Sequence, residues 1–365
     1  MSSIPVDLMM ELKPVSPQAA AEYAGNKSKL IEFVNQELAS RSGLGELIGG
    51  NPLRVMFDNH RNHAAFMSTV FQLNNFNLLV RILPWVYRAY HNQGFSFNYF
   101  PAALSAWIKA AAAHLKPEAA SEITRVYQWI IDKHNLLIEQ AQAPFIEVQP
   151  VDEAWRNQQA RFLQALLKGD ARAAVQLAAE AVFSNQDKID FYLQVIQPSM
   201  YMVGTMWENG EISVAREHLA SAVVTRVMSS LYIKSEPPEI QRGSAVLTAA
   251  PNEFHEIGPW MAADALESDG WSVIYLGSNT PQESLLNMLE EHAPRLLGLS
   301  LAMPYNLESA RSIIAAVKSH PEMSQTKIMV GGLAFYHLPE LWPMTGADGY
   351  ASNCAEAVEL ARSWS

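Results

Sequence analysis

The chain has 365 residues, a formal net charge of −11 and 49% hydrophobic residues. This length predicts two or three domains with sizeable cores. The negative charge argues against direct DNA binding. No run of apolar residues reaches the length of a membrane span, and no signal peptide opens the chain, which predicts a cytoplasmic protein. The single cysteine, Cys354, excludes internal disulfides and a cysteine-based metal site.

The residue pattern along the chain predicts a poorly ordered arm followed by three folded parts. Residues 1–26 mix Pro, Ser and Ala and form the arm. Apolar residues at helical spacing predict a helical module over 27–148 and a four-helix bundle over 152–235. Strands and helices then alternate over 243–365, which predicts a flavodoxin-like (Rossmann-type) parallel sheet. Prolines mark both linkers, at Pro144 and at Pro237-Pro238.

The loop after the first predicted strand carries the pattern E-x-H-x-x-G, formed by Glu253, His255 and Gly258. Such a loop lies at the carboxyl end of a strand, where open α/β sheets bind ligands. An imidazole there can ligate a metal through one nitrogen, and its other nitrogen then needs a carboxylate that fixes the tautomer. Glu253 is placed to be this partner. The alternative is a loop histidine without a role.

Two later strands end in small or polar residues, namely Ser300-Leu301 and Gly331-Gly332. With these motifs, residues 152–365 resemble the cobalamin-binding proteins, which have a helical cap and a flavodoxin-like B12 domain. The resemblance implies that His255 is the lower axial ligand of cobalt. It also implies that the two strand ends line a channel for the dimethylbenzimidazole tail, with Ser300 bonded to it. The commoner motif has Asp in place of Glu253, which leaves the histidine–carboxylate geometry open.

The cap segment contains Trp207, nine further residues and then Glu217-His218. This pattern resembles the light-sensing cobalamin proteins of bacteria. It implies 5′-deoxyadenosylcobalamin, with Trp207 and Glu217 beside the adenosyl group and His218 as an upper ligand after photolysis. The expected function is that of a non-catalytic photoreceptor, a homo-oligomer in which breakage of the Co–C bond changes domain packing or oligomeric state. The alternatives are a corrinoid carrier for a cobalamin-dependent methyltransferase and a plain cobalamin store.

The N-terminal module is rich in histidine and aromatic residues and has arginines that could pair with propionates. It resembles, loosely, the photocobilins, which hold a second tetrapyrrole. This implies a non-covalent biliverdin or haem beside residues from the following set: His60, Arg61, His63, Arg88, His91 and Tyr99. The alternative is an aromatic core with a solvated face of arginine and histidine, in a module that contacts another protein.

Overall fold

A computed structural model describes residues 12–143, 150–234, 239–336 and 338–364. The chain divides into an N-terminal unit, residues 1–145 with 208–211, and a C-terminal unit, residues 146–207 with 212–365. The linkers predicted at Pro144 and at Pro237-Pro238 lie outside the described residues.

The described part of the N-terminal unit is helical. Its helices are α1 (Pro17–Ala39), α2 (Leu44–Leu47), α3 (Leu53–Leu73), α4 (Phe76–Asn92), α5 (Tyr99–His114), α6 (Pro117–Asp132) and α7 (His134–Gln142). Helix α1 begins inside the predicted poorly ordered arm, because Ser16 caps it by accepting from the Ala19 amide. It packs into the core, where the hydroxyls of Tyr23 and Tyr127 lie 2.8 Å apart.

Four helical segments form the cap bundle at the start of the C-terminal unit. They are α8 (Arg156–Lys168), α9 (Ala171–Ala181), a long segment and α12 (Val214–Lys234). The long segment consists of α10 (Asn185–Phe191), a π-helical turn (Tyr192–Ile196) and α11 (Gln197–Glu208). The π-helical turn ends at Ile196, two residues before Pro198, which lacks the amide that a regular α-helix needs.

In the described residues, the α/β domain that follows has five parallel strands and five α-helices. The strands are β1 (Gly243–Ala249), β2 (Trp271–Tyr275), β3 (Leu296–Ser300), β4 (Lys327–Gly331) and β5 (Gly349–Ala351). The helices are α13 (Ile257–Ser268), α14 (Gln282–His292), α15 (Leu307–Ser319), α16 (Leu333–Tyr336) and α17 (Cys354–Arg362). The strand order is β2-β1-β3-β4-β5, and all pairs are parallel. The predicted fold class is therefore confirmed: helical modules followed by a Rossmann-type sheet.

Strand order reverses between β1 and β3, which makes the carboxyl end of this pair the switch point of the sheet. Successive connections leave the sheet on opposite sides there and open a crevice that suits a ligand. The central strands are almost wholly buried, as continuous apolar strands of parallel sheets are. The loops that leave β1 and β3 are thus held rigidly side by side.

Candidate functional site

Glu253 joins the two loops that meet at the switch point. The carboxylate lies in the loop after β1 and is 1% exposed. Its Oε1 lies 2.5 Å from Nδ1 of His255. Its Oε2 accepts from the amides of Ala302 and Met303, at 2.8 and 2.9 Å, and from Asn306 Nδ2 at 3.0 Å. Because an ionised carboxylate only accepts, His255 Nδ1 carries the proton, and Nε2 is the nitrogen left to ligate.

The charges in this pair stabilise each other. Burial raises the pKa of Glu253, but the hydrogen bond and charge of His255, with the Met303 amide and Asn306, outweigh it and lower the pKa. Burial alone lowers the pKa of His255, and the hydrogen bond and charge of Glu253 reverse this and raise it. The imidazole itself is 65% exposed, so it is both accessible and fixed in orientation.

The cap bundle contributes Glu217 to the same place. Glu217 lies in the first turn of α12, and its charge adds to the rise in the pKa of His255. His218 Nε2 lies 3.6 Å from Glu217 Oε2, and the His218 side chain is 73% exposed. Trp207 is half-buried near the end of α11. The structure therefore brings Glu217 towards His255, and it leaves His218 in an exposed position beside Glu217.

The predicted strand-end residues are adjacent in the sheet. Ser300 and Gly331 are partners in the register of β3 and β4. Leu301 is fully buried and donates its amide to the Gly331 carbonyl at 2.9 Å. Gly332 has a φ of +103°, and a Cβ there would lie 2.2 Å from the Leu301 carbonyl oxygen. Glycine at 332 is therefore required by the fold itself.

Gly258 differs from Gly332 in this respect. It lies in the first turn of α13, and a Cβ on it would meet no atom within 4 Å. Contacts within the described protein thus do not explain the glycine. A ligand that approaches the backbone closely beside His255 would explain it.

The single accessible imidazole of His255 fits a metal ion whose other ligands come from a cofactor. In the described ranges, no three His, Cys, Asp or Glu side chains gather into a group able to hold a metal ion. His255 instead offers one exposed imidazole with a carboxylate behind it, as metal-ligating histidines commonly do. This imidazole would supply one nitrogen to a metal whose other ligands come from the cofactor.

Comparisons with known proteins agree with this geometry. Residues 243–359 match a family model described as "B12 binding domain", and residues 158–232 match a second model with the same description. The chain therefore contains two segments that match B12 binding domains, and such domains imply a corrinoid cofactor. The first model covers the described α/β domain, called the cobalamin domain below, and the second covers most of the cap bundle.

Similar proteins are corrinoid proteins. A corrinoid protein of Desulfitobacterium hafniense (strain Y51) is 26% identical over 203 residues, which are 54% of this chain and 93% of that protein. Dimethylamine corrinoid protein 3 of Methanosarcina acetivorans is 27% identical over 46% of this chain and 78% of its own length. The solved structure of the Methanosarcina barkeri monomethylamine corrinoid protein is 20% identical, with a TM-score of 0.49, and covers 57% of this chain and 98% of its own.

The predicted photoreceptor function is wrong. The curated relatives reported above are corrinoid proteins, and one of them is named for dimethylamine, so the comparisons favour the alternative of a corrinoid carrier over a light sensor. The Trp-x9-Glu-His pattern misled because it fixes only the positions of three side chains on two helices. It does not determine what lies between these helices and the cobalt. The adenosyl form of the cofactor and the role of His218 after photolysis lose their basis with the light reaction.

The residues predicted to hold a second tetrapyrrole make contacts within the N-terminal unit. His60 Nδ1 lies 2.6 Å from Asn35 Oδ1, and His60 Nε2 lies 2.9 Å from the Tyr99 hydroxyl. The rings of His63 and Trp107 have centroids 5.0 Å apart. These contacts are those of an aromatic core, and the comparisons give no support to biliverdin or haem.

The remaining three residues of that set lie around this core. Arg61 pairs with Asp58 in its own helix. Arg88 Nε donates to the Ala141 carbonyl at 2.9 Å. The His91 ring stacks on Phe97 at 4.0 Å. The two arginines thus have protein partners in the places where propionates were expected.

Asn306 is a site residue that the sequence patterns did not reveal. It is 3% exposed, and its amide bonds to a carboxylate 53 positions earlier in the chain. The available signal was a polar residue shortly after a buried strand, in a loop at the carboxyl edge of the sheet.

Across the described residues, no helix is both long and apolar enough to span a membrane.

Proposed function

We propose that this protein is a corrinoid carrier that brings a methyl group to or from a separate, cobalamin-dependent methyltransferase. The single observation that carries the proposal is the exposed imidazole of His255, held by the buried carboxylate of Glu253 at the switch point of the sheet. Bound cobalamin supplies a cobalt atom that accepts a methyl group from one substrate and releases it to another. The dimethylamine corrinoid proteins, which align over most of their length, favour this function.

His255 would hold the cobalt in this proposal, and the chain's own residues set the basicity and direction of its imidazole. The hydrogen bond from Nδ1 to Glu253 leaves Nε2 as the ligating nitrogen and increases its electron density. Two backbone amides and Asn306 fix the carboxylate, so the ring cannot turn away without breaking several hydrogen bonds. Replacement of such partners of a ligand typically lowers metal affinity about 10- to 100-fold.

In the proposal, α11 and α12 would cover the bound corrinoid, and exposed apolar side chains stand next to the predicted site residues in the sequence. Val214 and Leu219, on either side of Glu217-His218, are 43% and 41% exposed, and Phe254 beside His255 is 70% exposed. These side chains would contact the corrinoid, and Trp207, Glu217 and His218 would shape the space beside it.

The experiment follows a labelled methyl group. The full chain is loaded with methylcobalamin that carries a ¹³C-methyl group, and methyltransferases encoded in the same genome are added one at a time with thiol or amine acceptors. We expect one enzyme to move the label to its acceptor, as read by NMR, at a rate proportional to the amount of loaded chain. His255→Ala should lose cobalamin on gel filtration, and His292→Ala, a change at a surface histidine of α14, should retain it.

Two results would contradict the proposal. One is a wild-type chain that holds cobalamin firmly but gives its methyl group to none of the enzymes. The other is a His255→Ala chain with unchanged affinity and an unchanged spectrum, which would place the ligand elsewhere.

A further inference from the structure

The short connection between α11 and α12 belongs to the N-terminal unit, although the helices on either side of it belong to the cap bundle. Residues 208–211 group with the N-terminal unit, and residues 146–207 and 212–365 form the C-terminal unit. Trp207 is therefore the last residue before the connection, and Glu217 follows it in the first turn of α12. Since both residues are predicted to shape the space beside the corrinoid, the position of the connection bears on the site.

Side chains of α4 hold this connection at Glu208. The indole Nε1 of Trp85 donates to Glu208 Oε1 at 2.8 Å. Asn92 Nδ2 donates to the backbone carbonyl of Glu208 at 2.6 Å. Gly210 lies against the same asparagine, because a Cβ on it would be 3.4 Å from Asn92 Cβ. One donor thus fixes the side chain of residue 208, and a second fixes its main chain.

One face of α4 carries these two donors and an arginine between them. Trp85, Arg88 and Asn92 have the i, i+3, i+7 spacing of residues that share a helix face. Arg88 Nε donates to the Ala141 carbonyl, in the last turn of α7, at 2.9 Å. Burial lowers the pKa of Arg88, and the charge of Glu208 opposes this lowering, so the two side chains attract each other. The connection and the last turn of α7 are therefore both bound to one face of α4.

The N-terminal unit is an addition to the segments that match B12 binding domains. Those matches cover residues 158–232 in the cap bundle and 243–359 in the cobalamin domain, so residues 1–145 lie outside both. The hydrogen bonds from α4 to Glu208 end one residue from Trp207. They give the additional unit a direct influence on a residue of the predicted site.

From these contacts we infer that Trp85 and Asn92 are positioning residues for Trp207. By fixing Glu208, they hold the adjacent indole in one place and so restrict which groups can bind cobalt at the axial position that His255 leaves open. The inference rests on the proposed function, in which Trp207 lies beside the corrinoid. A bulky ring in a fixed place hinders large ligands more than small ones, whereas a mobile ring discriminates less.

The test uses the full chain loaded with hydroxocobalamin. Azide and N-methylimidazole are added separately, and visible absorbance follows the rate at which each replaces the water or hydroxide on cobalt. Trp85→Phe keeps a ring but removes the donor to a charged group, so we expect the N-methylimidazole rate to rise about 3- to 10-fold. The azide rate and the cobalamin affinity should change by less than about twofold, because the His255 and Glu253 contacts are distant from Trp85 in the structure and additive with it.

Two further substitutions show whether the effect passes through Glu208 and Trp207. Glu208→Gln keeps an acceptor oxygen for the indole and should stay close to wild type, whereas Glu208→Ala should match Trp85→Phe. Once Trp207 is replaced by alanine, Trp85→Phe should have no additional effect on the N-methylimidazole rate. In the cobalamin-free chain, hydrogen–deuterium exchange over residues 206–213 should be faster in Trp85→Phe than in wild type, which reports the fixing of the connection itself.

Tyr23→Phe is the matched control, because it removes a buried hydroxyl contact of the same unit, to Tyr127 at 2.8 Å, and leaves the connection intact. It should leave both ligand rates unchanged. Equal N-methylimidazole rates in wild type and Trp85→Phe would overturn the inference, as would an effect of Trp85→Phe that persists in full in the Trp207→Ala background. If Trp85→Phe does not fold, Asn92→Ala, at an exposed position, replaces it. No methyltransferase is present in the measurement, so failure of the carrier function would be seen separately, in the transfer of the labelled methyl group.

Discussion

Glu253 is bonded to His255 through one carboxylate oxygen and to the loop after β3 through the other. The side chain therefore has two tasks: it orients the imidazole, and it joins the β1 and β3 loops at the switch point. The extra methylene of Glu relative to Asp lets one carboxylate reach both sides. The departure from the commoner Asp motif thus has a structural explanation.

This double contact predicts an unusual result for Glu253→Asp. The shorter arm can keep either His255 or the Ala302 and Met303 amides, but not both. We expect a loss of about 10- to 100-fold in cobalamin affinity, similar to that of Glu253→Gln. We also expect a drop of about 1–3 kcal/mol in the free energy of unfolding where the half-buried Ala302 and Met303 amides lose their acceptor. Titration with cobalamin and urea denaturation measure the two effects. Wild-type affinity in Glu253→Asp would show that the loops adapt to the shorter arm.

Asn306 is predicted to affect cobalamin binding through Glu253, and its Nδ2 also donates to the Asn252 carbonyl at 3.4 Å. Asn306→Ala removes one of three donors to Oε2, so the carboxylate keeps its amide partners. The expected loss is about 1–3 kcal/mol in the free energy of unfolding, with a smaller fall in cobalamin affinity than in Glu253→Gln. Thermal unfolding with and without cobalamin measures both. An affinity loss as large as that of Glu253→Gln would mean that Asn306 contacts the cofactor itself.

Short sequence patterns predicted correctly those parts of the structure in which the contacting residues are close together in the sequence. Alternation of apolar strands and helices gave the sheet, and three residues of one loop gave the pairing of Glu253 with His255. Asn306 was missed because its partner lies 53 positions away, and no short motif records such a contact. Helices α6 and α7 meet at Lys133, and no proline or glycine marks this break in the sequence.

Function was harder to predict than fold. The E-x-H-x-x-G loop specifies a chemical arrangement, in which one imidazole and one carboxylate must meet, and the structure contains it. The Trp-x9-Glu-His pattern specifies helix positions only, and the same positions suit a carrier and a light sensor. The domain boundaries and the roles of Trp207, Ser300 and Gly331 remain predictions.

Substitutions at Gly258 and Gly332 distinguish a glycine that contacts the cofactor from a glycine that the fold itself requires. Gly258→Ala places a methyl group where the described protein has no atom within 4 Å. Stability should be unchanged or rise by up to about 1 kcal/mol, since Ala favours helix over Gly. Cobalamin affinity should nevertheless fall, because the methyl group occupies the approach to α13. Isothermal titration and thermal unfolding test this, and unchanged affinity would exclude a close contact between Gly258 and the cofactor.

Gly332→Ala is the counterpart with the opposite expectation. Its φ of +103° and the close Leu301 carbonyl make any side chain unfavourable. Strain of this kind costs about 1–3 kcal/mol for the backbone alone. The free energy of unfolding should fall by at least this amount in cobalamin-free protein. Stability equal to wild type would show that the backbone can relax around residue 332.

The buried side chain of His60 should make the stability of the N-terminal unit sensitive to acid. Burial lowers its pKa from 6.5 to about 4, and burial with the charge of His60 lowers the pKa of His63 to about 3. A histidine with a depressed pKa stabilises the fold above the unfolded value of about 6.5, and this stabilisation is lost as the pH falls towards 4. For His60, which is 2% exposed, the full effect is about 3 kcal/mol.

His60→Gln keeps a polar group beside Asn35 and Tyr99 but cannot titrate. It should unfold with a shallower pH dependence between pH 6.5 and pH 4, as measured by urea denaturation and circular dichroism. His114→Gln, in the last turn of α5, serves as the control and should follow the wild-type curve. Equal slopes in wild type and His60→Gln would mean that the buried imidazole does not govern the acid response.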